Sequence, residues 1–148
     1  MNAPTPSDVL RPQTHLREVP HDFLAALKTR FGPACSTALA VREQHGRDES
    51  PFTHVPPPAA VVFAECTADV ADALRLAAQF KVPVIPFGVG SSLEGHLLAV
   101  QGGISLDVSR MNRVLSVNAE DLTVTVQPGV TRKAVNDAVK SDGLFFPI

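Results

Sequence analysis

Tryptophan and tyrosine are absent from the sequence, and phenylalanine is its single aromatic residue type. The aromatic platforms on which single-stranded nucleic acids stack are therefore not expected. A formal net charge of −2 leaves no excess of positive charge to attract a nucleic acid or an anionic membrane surface. These absences predict a protein with no nucleic-acid partner.

Cysteine is scarce, and long apolar runs are missing. Cys35 and Cys66 form no CxxC pair, which argues against a zinc site or a disulfide framework and favours inert thiols in a reducing compartment. No run approaches the ~18 apolar residues of a membrane span, and Met1 to Pro12 lacks the apolar centre of a secretory signal. We expect a cytoplasmic protein with no transmembrane segment, and peripheral attachment to the inner membrane stays open.

Proline divides the chain, because nine of its thirteen prolines precede residue 59. Residues 1–20 have no hydrophobic period and are predicted to be a flexible tail. Residues 21–58 are predicted to hold a helix, His21 to Phe31, followed by a proline-rich loop. The regular pattern of a folded domain begins at residue 59 and continues to residue 148.

That pattern starts with a β-α-β unit. Ala60 to Ala64 is a predicted strand, Thr67 is the predicted cap of a helix that ends at Phe80, and Val82 to Phe87 is a second strand. The buried stripe of the helix is predicted to comprise Val70, Ala73, Leu74 and Ala77.

Three further strands are predicted: Ile104 to Asp107, Val114 to Val117, and Leu122 to Gln127. The last alternates between apolar and polar residues, as a half-buried antiparallel strand does. Thr131 is the predicted cap of a helix that runs to Lys140 and stops near Gly143. The fold class is therefore α+β, a β-α-β subdomain followed by a mixed, mainly antiparallel sheet. Because the last five residues are strongly apolar, we expect the domain to be incomplete.

The most informative segment is Gly88-Val89-Gly90-Ser91-Ser92, directly after a predicted strand. Two glycines so close together let successive backbone N–H groups turn toward one point, which is a geometry that binds anions. The two serine hydroxyls would add donors. A tight turn with no ligand is the alternative, but a phosphate-bearing cofactor is the expected ligand.

Two common phosphate-binding motifs do not fit this loop. The dinucleotide fingerprint GxGxxG would need glycine in place of Leu93. The P-loop would need lysine and a hydroxyl residue where His96 and Leu97 stand, although Gly90 and Gly95 have its glycine spacing.

A known family shares these segments. Pro83 to Gly95 resembles the pyrophosphate-binding loop of flavoproteins related to vanillyl-alcohol oxidase and p-cresol methylhydroxylase. Asp107 to Val114, Val126 to Val130, and His45 to Ser50 also resemble the family, in the same order along the chain. Leu93-Glu94-Gly95 and Val130 to Ala134 are most similar to the D-lactate dehydrogenase branch. The resemblance implies a p-cresol methylhydroxylase-type FAD-binding domain, of which residues 59–148 are the N-terminal part.

The resemblance also implies which residues bind FAD. Gly88, Val89, Gly90, Ser91 and Ser92 would hold the pyrophosphate. The supporting residues would be Pro86 and Phe87 at the strand exit, Gly95 at a close backbone pass, and Pro128 with Gly129 in a turn beside the cofactor. Asp48 and Ser50 are as well explained by a loop-capping role as by a cofactor contact.

Some relatives attach FAD covalently through a histidine in this loop, but Ser91 occupies that position here, so non-covalent FAD is expected. His96 lies five residues later and is not assigned to the cofactor. The remaining histidines, His15, His21, His45 and His54, have no metal-ligand spacing, and solvated or locally hydrogen-bonded side chains are expected for them. Asp107, Arg110 and Arg113 are expected to form structural ion pairs near a turn. We expect no metal site.

The implied activity is the oxidation of a small D-2-hydroxy acid, such as D-lactate, by a flavin-dependent dehydrogenase. The electron acceptor, a cytochrome or a quinone, stays open, and no catalytic residue is predicted within this chain. The alternatives are the FAD-binding part of another family member, such as a glycolate oxidase subunit or an alkyl-dihydroxyacetone-phosphate synthase, and a non-catalytic nucleotide-binding module.

Overall fold

The structure is a computed structural model that describes residues 16–52 and 55–147. Its helices are α1 (His21–Phe31), α2 (Leu39–Gln44), α3 (Thr67–Phe80) and α4 (Arg132–Val139), and short 3-10 helices follow α1 and α4. Its strands are β1 (Cys35–Ser36), β2 (Val61–Phe63), β3 (Val84–Phe87), β4 (Ile104–Asp107), β5 (Val114–Asn118) and β6 (Thr123–Val126). No helix in the described ranges is long and apolar enough to cross a bilayer.

The larger sheet has the strand order β1-β2-β4-β3. β2 and β3 both run parallel to β4, while β1 is antiparallel to β2. The predicted β-α-β unit is therefore present as β2, α3 and β3, but its two strands are not neighbours. β4, which follows both of them in the sequence, lies between them and hydrogen-bonds to each.

β4 is the centre of this sheet. Each of its four residues is buried, because strands cover both of its edges and side chains cover both of its faces. Parallel strands buried in this way usually carry apolar residues on both faces, but in β4 Ile104 and Leu106 supply them on one face only. Ser105 and Asp107 are the polar exceptions.

α1 and α3 pack together against the sheet. Phe23 and Leu27 of α1 are fully buried, and the Phe23 ring lies 5.5 Å from the Phe80 ring of α3. At the surface, the Arg30 guanidinium bonds Asp69 at 3.2 Å and Asp72 at 2.6 Å, which links the two helices. The hydrogen bonds that Arg30 donates to Asp72 and Asp69 raise the pKa of its guanidinium.

Two predictions about α3 are wrong in detail. Thr67 is the first residue of the helix and not its cap: Cys66 occupies the cap position, and no side chain accepts a hydrogen bond there. The carboxylate of Asp69 instead reaches back and accepts the N–H of Glu65 at 3.1 Å. Leu74 is 47% exposed, because the buried stripe through Ala73 and Ala77 is rotated toward the other side of the helix.

β5 and β6 form a separate antiparallel hairpin, and α4 packs on it. The predicted antiparallel character of β6 is confirmed, as is the Thr131 cap, whose hydroxyl accepts the N–H of Ala134 at 3.2 Å. Gly143 ends this region with φ of +71°. Leu122, predicted as the first inward residue of β6, lies in the preceding turn with φ of +54° and is 75% exposed.

The segment before β2 contains more structure than the sequence predicted. β1 and the six-residue helix α2 were not predicted, and α2 occupies the start of the expected proline-rich loop. Most of the predicted tail lies outside the described residues. In the part of the tail that the structure describes, the Arg17 N–H donates to the Gln101 carbonyl at 3.1 Å.

The two cysteines have different surroundings and form no disulfide. Cys35 is buried in the core, and burial raises the pKa of its thiol against a weaker opposing effect of Lys28. Cys66 is exposed at the start of α3. The prediction of an unreactive thiol fits Cys35 on physical grounds, because a raised pKa disfavours the nucleophilic thiolate.

Candidate functional site

The glycine-rich loop lies at the edge of the sheet where the parallel strands end. β2, β3 and β4 finish there with Phe63, Phe87 and Asp107, and Phe87 and Asp107 are register partners. Gly88 continues directly from β3. A cleft of about 510 Å³ opens at this edge, lined by these three residues together with Gly88, Val89, Gly90, Ser109 and the segment 44–49.

The backbone N–H groups of the loop have no hydrogen-bond acceptor within the described protein, and three of the loop residues, Gly88 to Gly90, line the cleft. The N–H groups of Gly88, Val89, Gly90, Ser91 and Ser92 donate no hydrogen bond to any residue in the described ranges. Gly90 has φ of +79°, a left-handed conformation that favours glycine. Five consecutive amides without an internal partner are therefore available to an acceptor from outside.

The far end of the loop is anchored to the segment before β2. The Ser92 carbonyl accepts the N–H of Glu49 at 2.9 Å. The Ser92 hydroxyl accepts the N–H of His96 at 3.4 Å and lies 3.3 Å from Nδ1 of the same histidine. His96 thus bonds back to the loop, and its side chain is mostly exposed.

Asp48 directly precedes Glu49, whose N–H forms this anchor. Its carboxylate accepts the Ser50 N–H at 3.0 Å and also the Ser50 hydroxyl. Burial acts to raise the pKa of Asp48, but the hydrogen bonds from Ser50, with contributions from Ser92 and Gly95, hold that pKa below its ordinary value. Of the two roles left open for Asp48 and Ser50, loop capping and a cofactor contact, the structure shows the hydrogen bonds of loop capping.

Gly95 is closely packed, as predicted, but against the protein. It has φ of +80°, and a Cβ atom built on it would lie 2.9 Å from the Phe52 ring. Phe52 also lines a neighbouring cleft of about 420 Å³, together with Asp48, Ser50 and Leu98.

Pro86 lies in β3, at the edge of the described sheet. Proline has no N–H to donate, so an edge strand is where a sheet tolerates it. Phe87 carries its ring beneath the loop, since a Cβ atom on Gly90 would lie 3.1 Å from its Cζ atom. These two residues form the strand exit as predicted.

Pro128 and Gly129 approach the same edge from the hairpin. The Gly129 N–H donates to the Met111 carbonyl at 2.8 Å, and a Cβ atom on Gly129 would lie 2.4 Å from the Val108 carbonyl oxygen. Val108 in turn donates its N–H to the Phe87 carbonyl at 3.0 Å. Val108 therefore lies between the Pro128–Gly129 turn and Phe87, the last residue of β3.

A buried pair that the sequence did not predict lies beneath this edge. Nε2 of His45 is 2.8 Å from Oδ2 of Asp107, and each side chain is only 5% exposed. A structural ion pair near the surface was expected for Asp107; the structure pairs it with His45, and the pair is buried in the interior. His21 is exposed, while His15 and His54 lie outside the described residues.

Of the two arginines of the same segment, Arg110 forms the predicted ion pair, whereas Arg113 bonds a neutral side chain instead. Arg110 bonds Glu65 at 3.1 Å and lies 4.7 Å from the centre of the Phe63 ring. Arg113 donates through its backbone N–H and its Nε to the Gln127 side-chain oxygen, at 3.0 and 3.3 Å. No group of three potential metal ligands occurs in the described part of the chain.

Residues 58–148 match the protein family described as "FAD binding domain", which is more than half of the chain. The chain belongs to this FAD-binding family. FAD is therefore its cofactor, as the sequence predicted.

Curated relatives of this FAD-binding chain include named dehydrogenases and an oxidase subunit. A probable mitochondrial D-lactate dehydrogenase of Danio rerio is 43% identical and aligns with 76% of this chain and 22% of its own length. A mitochondrial D-lactate dehydrogenase [cytochrome] of Arabidopsis thaliana is 35% identical over 89% of this chain and 24% of its own length. The glycolate oxidase subunit GlcD of Bacillus subtilis is 38% identical over 61% and 19%. The chain thus spans less than a quarter of the length of these relatives.

Solved structures share the fold of the FAD-binding chain. p-Cresol methylhydroxylase superposes with a TM-score of 0.73 at 18% identity, covering 83% of this chain and 25% of that one. An alkyldihydroxyacetonephosphate synthase superposes with a TM-score of 0.74 at 24% identity, covering 86% and 28%. The predicted fold class, a p-cresol methylhydroxylase-type FAD-binding domain present in part, is confirmed.

Proposed function

We propose that the amides of Gly88 to Ser92 bind the diphosphate of FAD. The observation that carries the proposal is the run of five backbone N–H groups without an internal acceptor, at the edge where parallel strands end. Ligands bind characteristically at that edge of open α/β sheets, and converging amides form an anion site.

The glycines of the loop fit a diphosphate. Nothing lies within 4 Å of a Cβ atom built on Gly88, so its open side is free for a ligand. The Phe87 ring occupies the space next to which a side chain at position 90 would lie. The positive φ of Gly90 turns the backbone at that point. Ser91 is exposed and available as a further donor, while the Ser92 hydroxyl is oriented toward His96.

In the proposed site, Pro86 and Phe87 fix the direction in which β3 enters the loop. Gly95 with Phe52, and Pro128 with Gly129, hold the neighbouring segments in place. FAD is bound non-covalently, because no histidine occupies positions 88–92. The amides would orient the cofactor and balance its negative charge.

For the complete protein we propose a flavin-dependent dehydrogenase that oxidises a small D-2-hydroxy acid to the 2-oxo acid. FAD supplies the chemistry when bound, by accepting a hydride from the carbinol carbon. The names of two relatives, both D-lactate dehydrogenases, support this reaction and favour D-lactate as the substrate. We assign no catalytic residue to this chain.

A second substrate, glycolate, is favoured by the similarity to the glycolate oxidase subunit. Glycolate differs from D-lactate by one methyl group, and a pocket for that methyl would distinguish the two by about 1–3 kcal/mol.

The cytoplasm stays our proposed location, and two relatives bear mitochondrial names. Fractionation of cells that express the tagged full-length protein tests that location.

The FAD site is tested by Gly90→Val in the full-length protein, with flavin content measured after purification. A valine side chain would meet the Phe87 ring and would disfavour φ of +79°, so the bend that presents the amides would be distorted. The matched control is Gly143→Val, which places the same residue at φ of +71° with open space around it and far from the loop. We expect Gly90→Val to lose bound FAD and Gly143→Val to keep it. Wild-type flavin content in Gly90→Val contradicts the assignment.

The reaction is tested by mixing the purified flavoprotein with D-lactate in the absence of oxygen and following the oxidised flavin band. D-lactate is expected to bleach the band faster than glycolate, and L-lactate is expected to leave it unchanged. A flavin that none of the three reduces rules out the proposed reaction but leaves the FAD site intact.

A further inference from the structure

The ring of His45 is held by two hydrogen bonds. Nδ1 lies 2.8 Å from the Val41 carbonyl oxygen in α2, and Nε2 lies 2.8 Å from Oδ2 of Asp107 at the end of β4. Each ring nitrogen thus has its own hydrogen-bond partner, a backbone carbonyl oxygen on one side and a carboxyl oxygen on the other. These two partners fix the orientation of the buried ring.

Asp107 is itself fixed on its other side. Its Oδ1 atom accepts the N–H of Ser109 at 2.7 Å, which closes the turn after β4. The two oxygens of Asp107 therefore have separate partners, Nε2 of His45 and the N–H of Ser109. The pair consequently has one geometry, in which the imidazole plane is set by α2 on one side and by β4 on the other.

Aromatic contacts connect the imidazole ring of His45 to the glycine-rich loop. Its centre lies 4.2 Å from the centre of the Phe87 ring, and the Phe63 ring meets it edge-on at 5.5 Å. Aromatic rings at these separations attract one another in tilted and edge-on arrangements. The Phe87 ring then reaches Gly90, where a Cβ atom would lie 3.1 Å from its Cζ atom.

We infer that His45 is a positioning residue for the FAD site: it fixes the Phe87 ring, and through that ring it holds the bend from Gly88 to Gly90 in the conformation that binds the diphosphate. This inference rests on the proposed position of the diphosphate. It adds the end of α2 and the end of β4, which line the same cleft, to the parts of the chain on which the binding site depends.

The test is the dissociation constant for FAD of the full-length apoprotein carrying single substitutions. His45→Gln can satisfy only one of the two acceptors, and Asp107→Ala removes one of them. We expect each to raise the dissociation constant at least about tenfold, the size expected when a buried partner is left unpaired. Asp107→Asn is the conservative variant, because its amide can donate to Nε2 of a neutral ring while Nδ1–H still bonds Val41. It should bind FAD within about threefold of the wild type.

Two further variants separate positioning from general destabilisation. Leu27→Ala truncates a fully buried residue of α1 and lowers the melting temperature without touching the loop, so its dissociation constant for FAD should be unchanged. Phe87→Leu keeps the His45–Asp107 pair but removes the ring between it and Gly90, and it should weaken FAD binding as His45→Gln does. Phe87→Leu also serves as the test if His45→Gln does not fold.

The results distinguish this inference from the proposed site. If Gly90→Val loses FAD while His45→Gln, Asp107→Ala and Phe87→Leu bind it normally, the diphosphate site stands and the positioning role is overturned. A loss in Asp107→Asn as large as in Asp107→Ala also overturns it, since the hydrogen bonds would then matter less than the charge. If Gly90→Val itself retains FAD, the proposed site fails first.

Discussion

Two glycines beside the ends of β3 and β4 differ in the space around them. A Cβ atom on Gly129 would lie 2.4 Å from the Val108 carbonyl oxygen and 2.8 Å from that of Ser109, both backbone atoms that have little freedom to move. A Cβ atom on Gly88 would meet nothing within 4 Å. Gly129→Ala should therefore destabilise the protein by about 1–3 kcal/mol, and Gly88→Ala by no more than about 0.5 kcal/mol. Urea denaturation of the apoprotein measures both, and equal midpoints would contradict the packing described for the turn.

The carboxylate of Asp48 should make stability depend on pH. Hydrogen bonds from Ser50 hold its pKa below the ordinary value of roughly 3.9, so the charged form is favoured in the folded state. The stabilisation is present above that ordinary value and is lost as the pH falls through the lower pKa of the folded state. The difference in unfolding free energy between wild type and Asp48→Asn should thus be largest near neutral pH and shrink in acid. A difference that stays constant from pH 7 into that acid range would show that the charge is not the cause.

At the scale of residues, the sequence indicated the glycine-rich loop but not the buried His45–Asp107 pair that lies beneath it. Gly88 to Ser92 could be found because the two glycines and two serines are contiguous. The pairing of His45 with Asp107 could not, because 62 residues separate them and the family-like segments in which they stand do not indicate that the two side chains meet. Periodicity also says nothing about which buried polar groups meet, since that depends on how the strands are ordered.

At the scale of elements, two threonines provide a matched comparison of helix caps. Thr131 accepts the Ala134 N–H with its hydroxyl, whereas Thr67 accepts no capping bond. Thr131→Ala should lower the free energy of unfolding by about 1 kcal/mol, the usual contribution of a cap. Thr67→Ala should change it by less than about 0.5 kcal/mol. Thermal denaturation followed by circular dichroism measures both, and a larger loss for Thr67→Ala would refute the observed start of α3.

Elements with a strong period were predicted, and short ones were not. α1, α3 and α4 each present an apolar face over two turns or more, and β2 to β6 are recognisable runs of apolar or alternating residues. β1 has two residues and α2 has six, lengths at which no period can be recognised. The order of the strands could not be predicted from the sequence either, because local patterns do not determine which strands are neighbours in the sheet.

At the scale of the whole molecule, cofactor binding should be visible as stability. A ligand that binds only the folded state stabilises it by about 2.7 kcal/mol when its free concentration is a hundred times its dissociation constant. The melting temperature of the full-length apoprotein should therefore rise as FAD is added. Gly90→Val should abolish the rise and Gly143→Val should keep it. A rise of wild-type size in Gly90→Val would place the cofactor elsewhere.

The insertion of β4 between β2 and β3 has a consequence for synthesis on the ribosome. When residue 87 has left the exit tunnel, β2, α3 and β3 are all available, yet neither strand has its parallel neighbour. Val61 and Val62, fully buried in the finished sheet, have only the short β1 beside them at that stage. Closure of this sheet must wait until Ile104–Asp107 emerges and enters the gap. The translation interval between β3 and β4 is thus the period in which the nascent chain most needs a chaperone to cover these valines.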